Sequence, residues 1–153
     1  MAARSAGILL YKREDGALKV LLVHPGGPFW AKKDAGAWSI PKGEYADGED
    51  PEAAARREFE EELGIALQGG LKPLGEAVQP GRKRVVAYAA EGDLDPAAVR
   101  SNTFEIEWPP RSGRRKSFPE VDRAGWFTLE EAREKILAGQ RVFLDRLAER
   151  PGT

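Results

Sequence analysis

Between Gly43 and Ile65 the chain reads GEYADGEDPEAAARREFEEELGI, and its acidic residues are spaced for work on one ion. Asp50 followed by Pro51 starts a helix, since the Asp side chain accepts N-terminal N–H bonds and Pro at the first position loses no needed donor. Good helix formers continue to Leu63, and Gly64 suits a left-handed C-cap. At about 100° per residue, with Glu58 set at zero, Glu62 falls near ~40° and Glu61 near ~-60°. The three carboxylates therefore share a face, while Glu60, near ~200°, points away. Arg57 flanks the cluster beside Glu61, and Ala55, Phe59 and Leu63 form an adjoining stripe able to pack into a core. Three carboxylates on one face repel unless something positive sits among them. Hard oxygen donors of this kind suit Mg²⁺ or Mn²⁺, which also bind phosphates. A solvated acidic helix face would explain three glutamates alone, but Gly43 and Glu49 stand ahead of the helix at spacings that fold the loop back, with Glu49 able to pair with Arg57.

The pattern G-x5-E-x7-R-E-U-x-E-E-x-G-U, with U apolar, is met at Gly43, Glu49, Arg57, Glu58, Phe59, Glu61, Glu62, Gly64 and Ile65. It is the Nudix box, and the chain resembles the Nudix hydrolase family. The resemblance implies an α/β (α+β) fold in which a mixed sheet is sandwiched between helices. It implies Glu58, Glu61 and Glu62 as metal ligands with the Gly43 carbonyl beside them, a Mg²⁺ or Mn²⁺ cofactor, and Arg57 and Glu49 holding the loop. The implied reaction is attack of water on a phosphorus of a nucleoside diphosphate linked to another moiety. Glu58 is the first choice of general base, with Arg57 and Glu61 beside it in the catalytic group; Glu105, Glu107 and Glu120 are candidates outside the box.

The lead-in Trp38–Gly43 (WSIPKG) is similar to that of family members acting on dinucleoside polyphosphates or inositol pyrophosphates. Lys42 would place a point charge beside the phosphate chain. Phe29 and Trp30, in a Gly/Pro-rich loop, and Trp38 can stack on a base or close over the site, Trp30 being the better candidate, and Arg84 can reach a further phosphate. Arg82, Lys83 and the run 111–116 add local basic charge. Trp108 and Trp126 read as core, and His24, the single histidine, as structural.

Ser5–Lys12 and Leu18–His24 read as a hairpin around Asp15-Gly16, and residues 25–37 as a surface loop. Trp38–Ile40 reads as a short strand halted by Pro41. Strand-like runs follow at 71–78, 84–90, 103–108 and 121–127, with 109–119 a basic loop. Thr128 with Glu131 forms a capping-box pattern for a second helix, and 140–150 reads as a third. With 153 residues and no composition break, residues 1–153 read as a single domain. The chain has no cysteine, which removes disulfides and thiolate chemistry and makes the cysteine-dependent isomerase branch of the fold a poor fit. Its net charge of -1 gives no global field for nucleic acid, so no stable nucleic-acid partner is expected. Residues 1–7 lack a signal peptide's pattern, and no apolar run reaches the roughly 20 residues of a spanning helix; a cytoplasmic enzyme without a membrane partner is the expectation. The ranking of substrates is a dinucleoside polyphosphate, then a (modified) nucleoside triphosphate, then ADP-ribose or another nucleotide sugar. A binding-only nucleotide sensor is the alternative from another class, and the intact glutamate set argues against it.

Overall fold

The computed structural model describes residues 4–150, so Met1 to Ala3, part of the stretch read for a leader, lie outside the described residues. Its centre is strand β1 (Arg4–Glu14), whose unbroken apolar run leaves Ala6 to Leu10 without polar alternation. Such a run needs cover on both faces. β1 pairs parallel with β5 (Lys83–Glu91) on one side. On its other side it pairs antiparallel with two partners in turn. Its far end takes β2 (Ala17–Pro25) and its near end takes β3 (Lys42–Glu44), with Gly7 opposite Lys42 and Ala6 opposite Gly43. β4 (Lys72–Gln79) completes one edge and β8 (Val121–Thr128) the other, giving the order β4-β5-β1-β2-β8. β6 (Thr103–Glu107) and β7 (Arg115–Pro119) form a separate two-stranded arm.

Helix α1 (Pro51–Leu63) covers one sheet face, where Ala54, Ala55, Phe59 and Leu63 meet Ile8, Leu10, Leu21 and Val23. Helices α2 (Leu129–Lys135) and α3 (Arg141–Glu149) cover the other, where Phe143, Leu144 and Leu147 meet Leu9, Leu22 and Val85. The mixed sheet is thus sandwiched between helices, as the sequence implies. The caps are also those expected. Asp50 accepts the Ala53 N–H at 3.1 Å, Gly64 adopts φ 72°, and Thr128 and Glu131 bond each other reciprocally.

Two elements differ from the expectations. Trp38–Ile40 makes only isolated bridges, Ser39 to Val23 and Trp38 to Ile136, and the strand lies beyond Pro41. The Ile40 N–H goes to the side-chain oxygen of buried Gln140 at 3.0 Å, and Pro41 has no N–H to give. Residues 109–119 are not all loop either, because Arg115–Pro119 pairs with β6, Glu107 facing Arg115. β6 alternates (TFEIE), as expected, whereas β7 (RKSFP) is exposed over most of its length and carries no apolar alternation to read. Trp108 and Trp126 are half-buried rather than core: Trp126 donates to the Leu94 carbonyl and lies under Lys12. No helix among the described residues is long and apolar enough to cross a membrane.

Phe59 is the largest side chain anchoring α1 to the sheet and is fully buried. Phe59→Ala is expected to lower the unfolding free energy by about 3–5 kcal/mol, as for other buried aromatics. Denaturant titration checks this, and a loss below about 1 kcal/mol would show that α1 is held some other way.

Candidate functional site

With its apolar stripe on the sheet, α1 turns Glu58, Glu61 and Glu62 toward β3 and the loop before the helix. Arg57 organises this face. It meets Glu49 through Nε and Nη2 at 3.1–3.2 Å, Glu58 through Nη1 at 2.8 Å, and lies 3.6 Å from Glu61. The paired contact to Glu49 closes the 45–49 loop onto the helix. Glu58 is buried against Gly43, where any Cβ would land inside the Glu58 carboxylate. Gly43 is therefore required sterically, and its backbone sits against the helix's acidic face. Burial first, and then the Glu61 charge, push the Glu58 carboxyl up from its ordinary value.

Glu62 turns the other way, accepting the Lys42 N–H at 3.3 Å. Burial pushes its carboxyl up to about 8, against the opposing pull of Lys42. Burial likewise lowers the Lys42 ammonium from its usual range. Both line a cavity of about 200 Å³, walled also by Val23, Trp30, Ile40 and Glu120.

Among the described residues no three acidic or histidine side chains already converge as a ready-made ligand cluster. The carboxylates are drawn instead to Arg57 and to the Lys42 N–H. The donor set nonetheless fits a hard divalent cation: three carboxylates on one helical face with a glycine backbone packed against them.

The remaining candidates separate clearly. Lys42 and Trp30 reach the cavity. Trp38 does not, which corrects its reading as a base-stacking residue. It is 5% exposed, edge-on to Phe127 and His24, with its indole N–H on Asp34. Arg84 is paired with Glu76 at 2.9 Å on the surface, and the charge of neighbouring Lys83 reaches Lys42. Of the outer bases, Glu107 is spent on the turn of the β6–β7 arm, accepting the Arg111 and Gly113 N–H groups. Glu105 lies exposed on the arm, whereas Glu120 faces the cavity with Glu62.

Two buried polar residues support the site: Gln140, which escaped sequence reasoning, and His24, structural as expected. Buried Gln140 holds Ile40, Ser39 and Gln79 together, fixing the lead-in to Lys42. His24, fully buried, lies 2.8 Å from Asp122 through Nδ1 and 2.6 Å from the Lys33 carbonyl through Nε2. It ties the 26–37 loop to β8. A lone His at a strand end carries no signal of such partners.

A family model described as NUDIX domain matches residues 1–147. Over 30 residues the chain is 57% identical to Nudix hydrolase 25 of Arabidopsis thaliana, a stretch that is 20% of this chain and 17% of that protein. Among solved structures, a C. elegans Ap4A hydrolase binary complex superposes with a TM-score of 0.65 at 24% identity, covering 94% of this chain and 95% of that one. The NUDIX domain of Shewanella oneidensis NrtR, solved with ADP ribose, gives 0.65 at 19% identity, covering 98% and 88%.

The Glu62 environment predicts a pH signature in chelator-treated protein. A carboxyl raised from 4.5 to about 8 binds a proton in the folded state that the unfolded chain has released. This contribution is fully present below about pH 4.5, falls as pH rises and is lost above about pH 8. Relative to wild type, Glu62→Gln should therefore gain stability steadily from about pH 5 to about pH 8. Denaturation series at several pH values read it, and a constant difference would show that Glu62 is not raised.

Proposed function

The chain belongs to the Nudix family, and on that premise we propose that it is a metal-dependent pyrophosphohydrolase acting on a nucleoside diphosphate linked to another moiety, with a dinucleoside polyphosphate as the preferred substrate. The observation carrying the reading is the α1 face: Glu58, Glu61 and Glu62 side by side, packed against Gly43 and bounded by Arg57. Mg²⁺ or Mn²⁺ held by the three glutamates and the Gly43 carbonyl would neutralise phosphate oxygens and lower the pKa of water.

The chain's own residues supply the rest. Lys42, at the cavity wall beside Glu62, takes the phosphate chain as a point charge partly stripped of water. Trp30 offers its indole to a base at the same wall. Arg57 keeps Glu58 and Glu61 from swinging apart. For the general base, Glu58 is the choice within the box, at the centre of the acidic face and with its carboxyl raised by burial. Glu120, facing the cavity from the start of β8, is the choice outside it. Orientation and charge neutralisation supply most of the acceleration in such transfers.

The preference for a dinucleoside polyphosphate rests on Lys42 in the lead-in and its exposure to the cavity, and is supported by likeness in fold to the C. elegans protein. ADP-ribose is the second reading, favoured by the comparable likeness to the S. oneidensis domain solved with that ligand; a (modified) nucleoside triphosphate is the third.

Glu61→Gln and Glu62→Gln are each expected to reduce Mg²⁺-supported turnover by more than the roughly 10- to 100-fold that losing a ligand's supporting group costs. Circular dichroism should show the fold retained, and wild-type rates in either variant would overturn the metal assignment. A product assay across diadenosine polyphosphates, nucleoside triphosphates and ADP-ribose is expected to show the dinucleoside turned over fastest. Much slower turnover of the dinucleoside than of the triphosphate would refute the role given to Lys42.

A further inference from the structure

Among the described residues, the exposed large hydrophobic side chains are Phe29, Trp30 and Val78, at 65%, 36% and 58%. Two of the three are neighbours in the 26–37 loop at the cavity mouth. Scattered exposure of single apolar residues needs no explanation, but these two are rigidly mounted. At the start of the loop, Gly26 donates to the Glu120 carbonyl at 2.9 Å. A Cβ at Gly26 would collide with the Pro119 carbonyl, and one at Gly27 would come within 2.8 Å of the Phe104 ring. At the end of the loop, His24 holds the Lys33 carbonyl, and Asp34 takes the Trp38 indole N–H and the Lys135 ammonium. Phe29 is further fixed edge-to-face against Trp108, with centroids 5.6 Å apart and planes at 84°. Loop and β6–β7 arm thus meet in one aromatic pair open to solvent. Next to it the turn of the arm carries exposed Arg111 and Arg114.

The cavity decides what such a pair is for. Its volume of about 200 Å³ lies below the roughly 300–1,000 Å³ of sites that enclose a drug-sized ligand. A molecule with a nucleoside at each end of a phosphate chain cannot be enclosed there, so one end must lie on the adjoining surface. We propose that Phe29 and Trp108 form an outer subsite that stacks the second nucleobase of a dinucleoside polyphosphate, with Arg111 and Arg114 placed for the phosphates nearest it. This rests on the substrate reading given above and extends it. Trp30 faces the cavity and serves the inner base. Phe29 points to the arm and serves the outer one.

Stacking of a base on an aromatic side chain is worth about 1–3 kcal/mol by alanine substitution, a factor of about 5 to 150 in affinity. The test compares diadenosine tetraphosphate with adenosine 5′-tetraphosphate, which keeps the phosphate chain and lacks the second adenosine. For the wild type, kcat/KM should favour the dinucleoside. Trp108→Ala and Phe29→Ala should each lower that preference at least about 5-fold, and Trp108→Phe should restore most of it. Equilibrium binding of methylene-bridged, non-hydrolysable analogues of both compounds is measured alongside, so that binding is read even where turnover is absent. A wild type that turns over neither compound sinks the hydrolase reading but leaves the subsite to the binding data. A wild type that binds the two analogues equally, or variants that weaken both compounds in parallel, overturns the outer subsite.

Discussion

Charge crowding on α1 is the constraint around which the site is built. Glu49, Glu58, Glu61 and Glu62 lie close together and a single guanidinium, Arg57, sits among them. Two like charges about 4 Å apart cost about 1 kcal/mol in water and about 4 kcal/mol at the effective dielectric of a protein surface. The protein lowers that cost in two ways. Arg57 divides its donors between Glu49 and Glu58 and stays near Glu61, and burial holds the Glu62 carboxyl up so that it resists ionising. Both devices leave the face short of positive charge. The metal-phosphate complex proposed above would supply that charge and make a helix that is awkward alone favourable around its ligand.

The crowded face is also tied through backbone to the β6–β7 arm and the 26–37 loop. The Glu61 carbonyl accepts from Asn102, the Asn102 carbonyl from Glu120, and the Glu120 carbonyl from Gly26. In three hydrogen bonds the chain passes from the acidic helix to the root of the β6–β7 arm, to the cavity-facing Glu120 and to the aromatic loop. Because backbone bonds do not depend on side-chain rotamers, this ladder keeps those parts in register whatever rotamers Glu61 and Glu62 adopt. Side chains can then reorganise without moving the cavity walls.

How much of this the residues themselves declared depends on the range of the interaction. The α1 caps, the Arg57–Glu49 pair and the shared face of the three glutamates follow from spacings of eight residues or fewer, where helical geometry does the placing. Gly43 was legible as part of a motif, but its steric reason, the Glu58 carboxylate in the space of a side chain, exists only after β3 pairs with β1. The misplaced strand at Trp38–Ile40 has the same origin. The Ile40 N–H goes to Gln140, a hundred residues away, and the Trp38 backbone to Lys135 and Leu137, partners that no local pattern encodes. Trp38 was misread because an aromatic beside a motif looks the same whether it faces a ligand or the core; His24 and Phe127 decide it. Strand β7 hid because its own sequence, RKSFP, lacks the alternation that its partner β6 shows.

Those long-range supports also separate the parts of the molecule to which the proposed reaction assigns the bond and the substrate. The acidic helix is held by an apolar stripe and local capping, features that tolerate little variation without loss of the fold. The walls that meet the rest of the substrate are loops, and loops vary at small cost only if something else keeps them rigid. Here His24 and Gln140 do so from inside the protein, each fully buried and each hydrogen-bonded to two or more partners. An unsatisfied buried polar group costs about 1–3 kcal/mol, so a loop that swung away from either residue would forfeit that much at once. The 26–37 loop is therefore better described as a fixed jaw than as a lid. Selectivity that arises from it must come from the shape and stacking it presents, because its position leaves little to be induced.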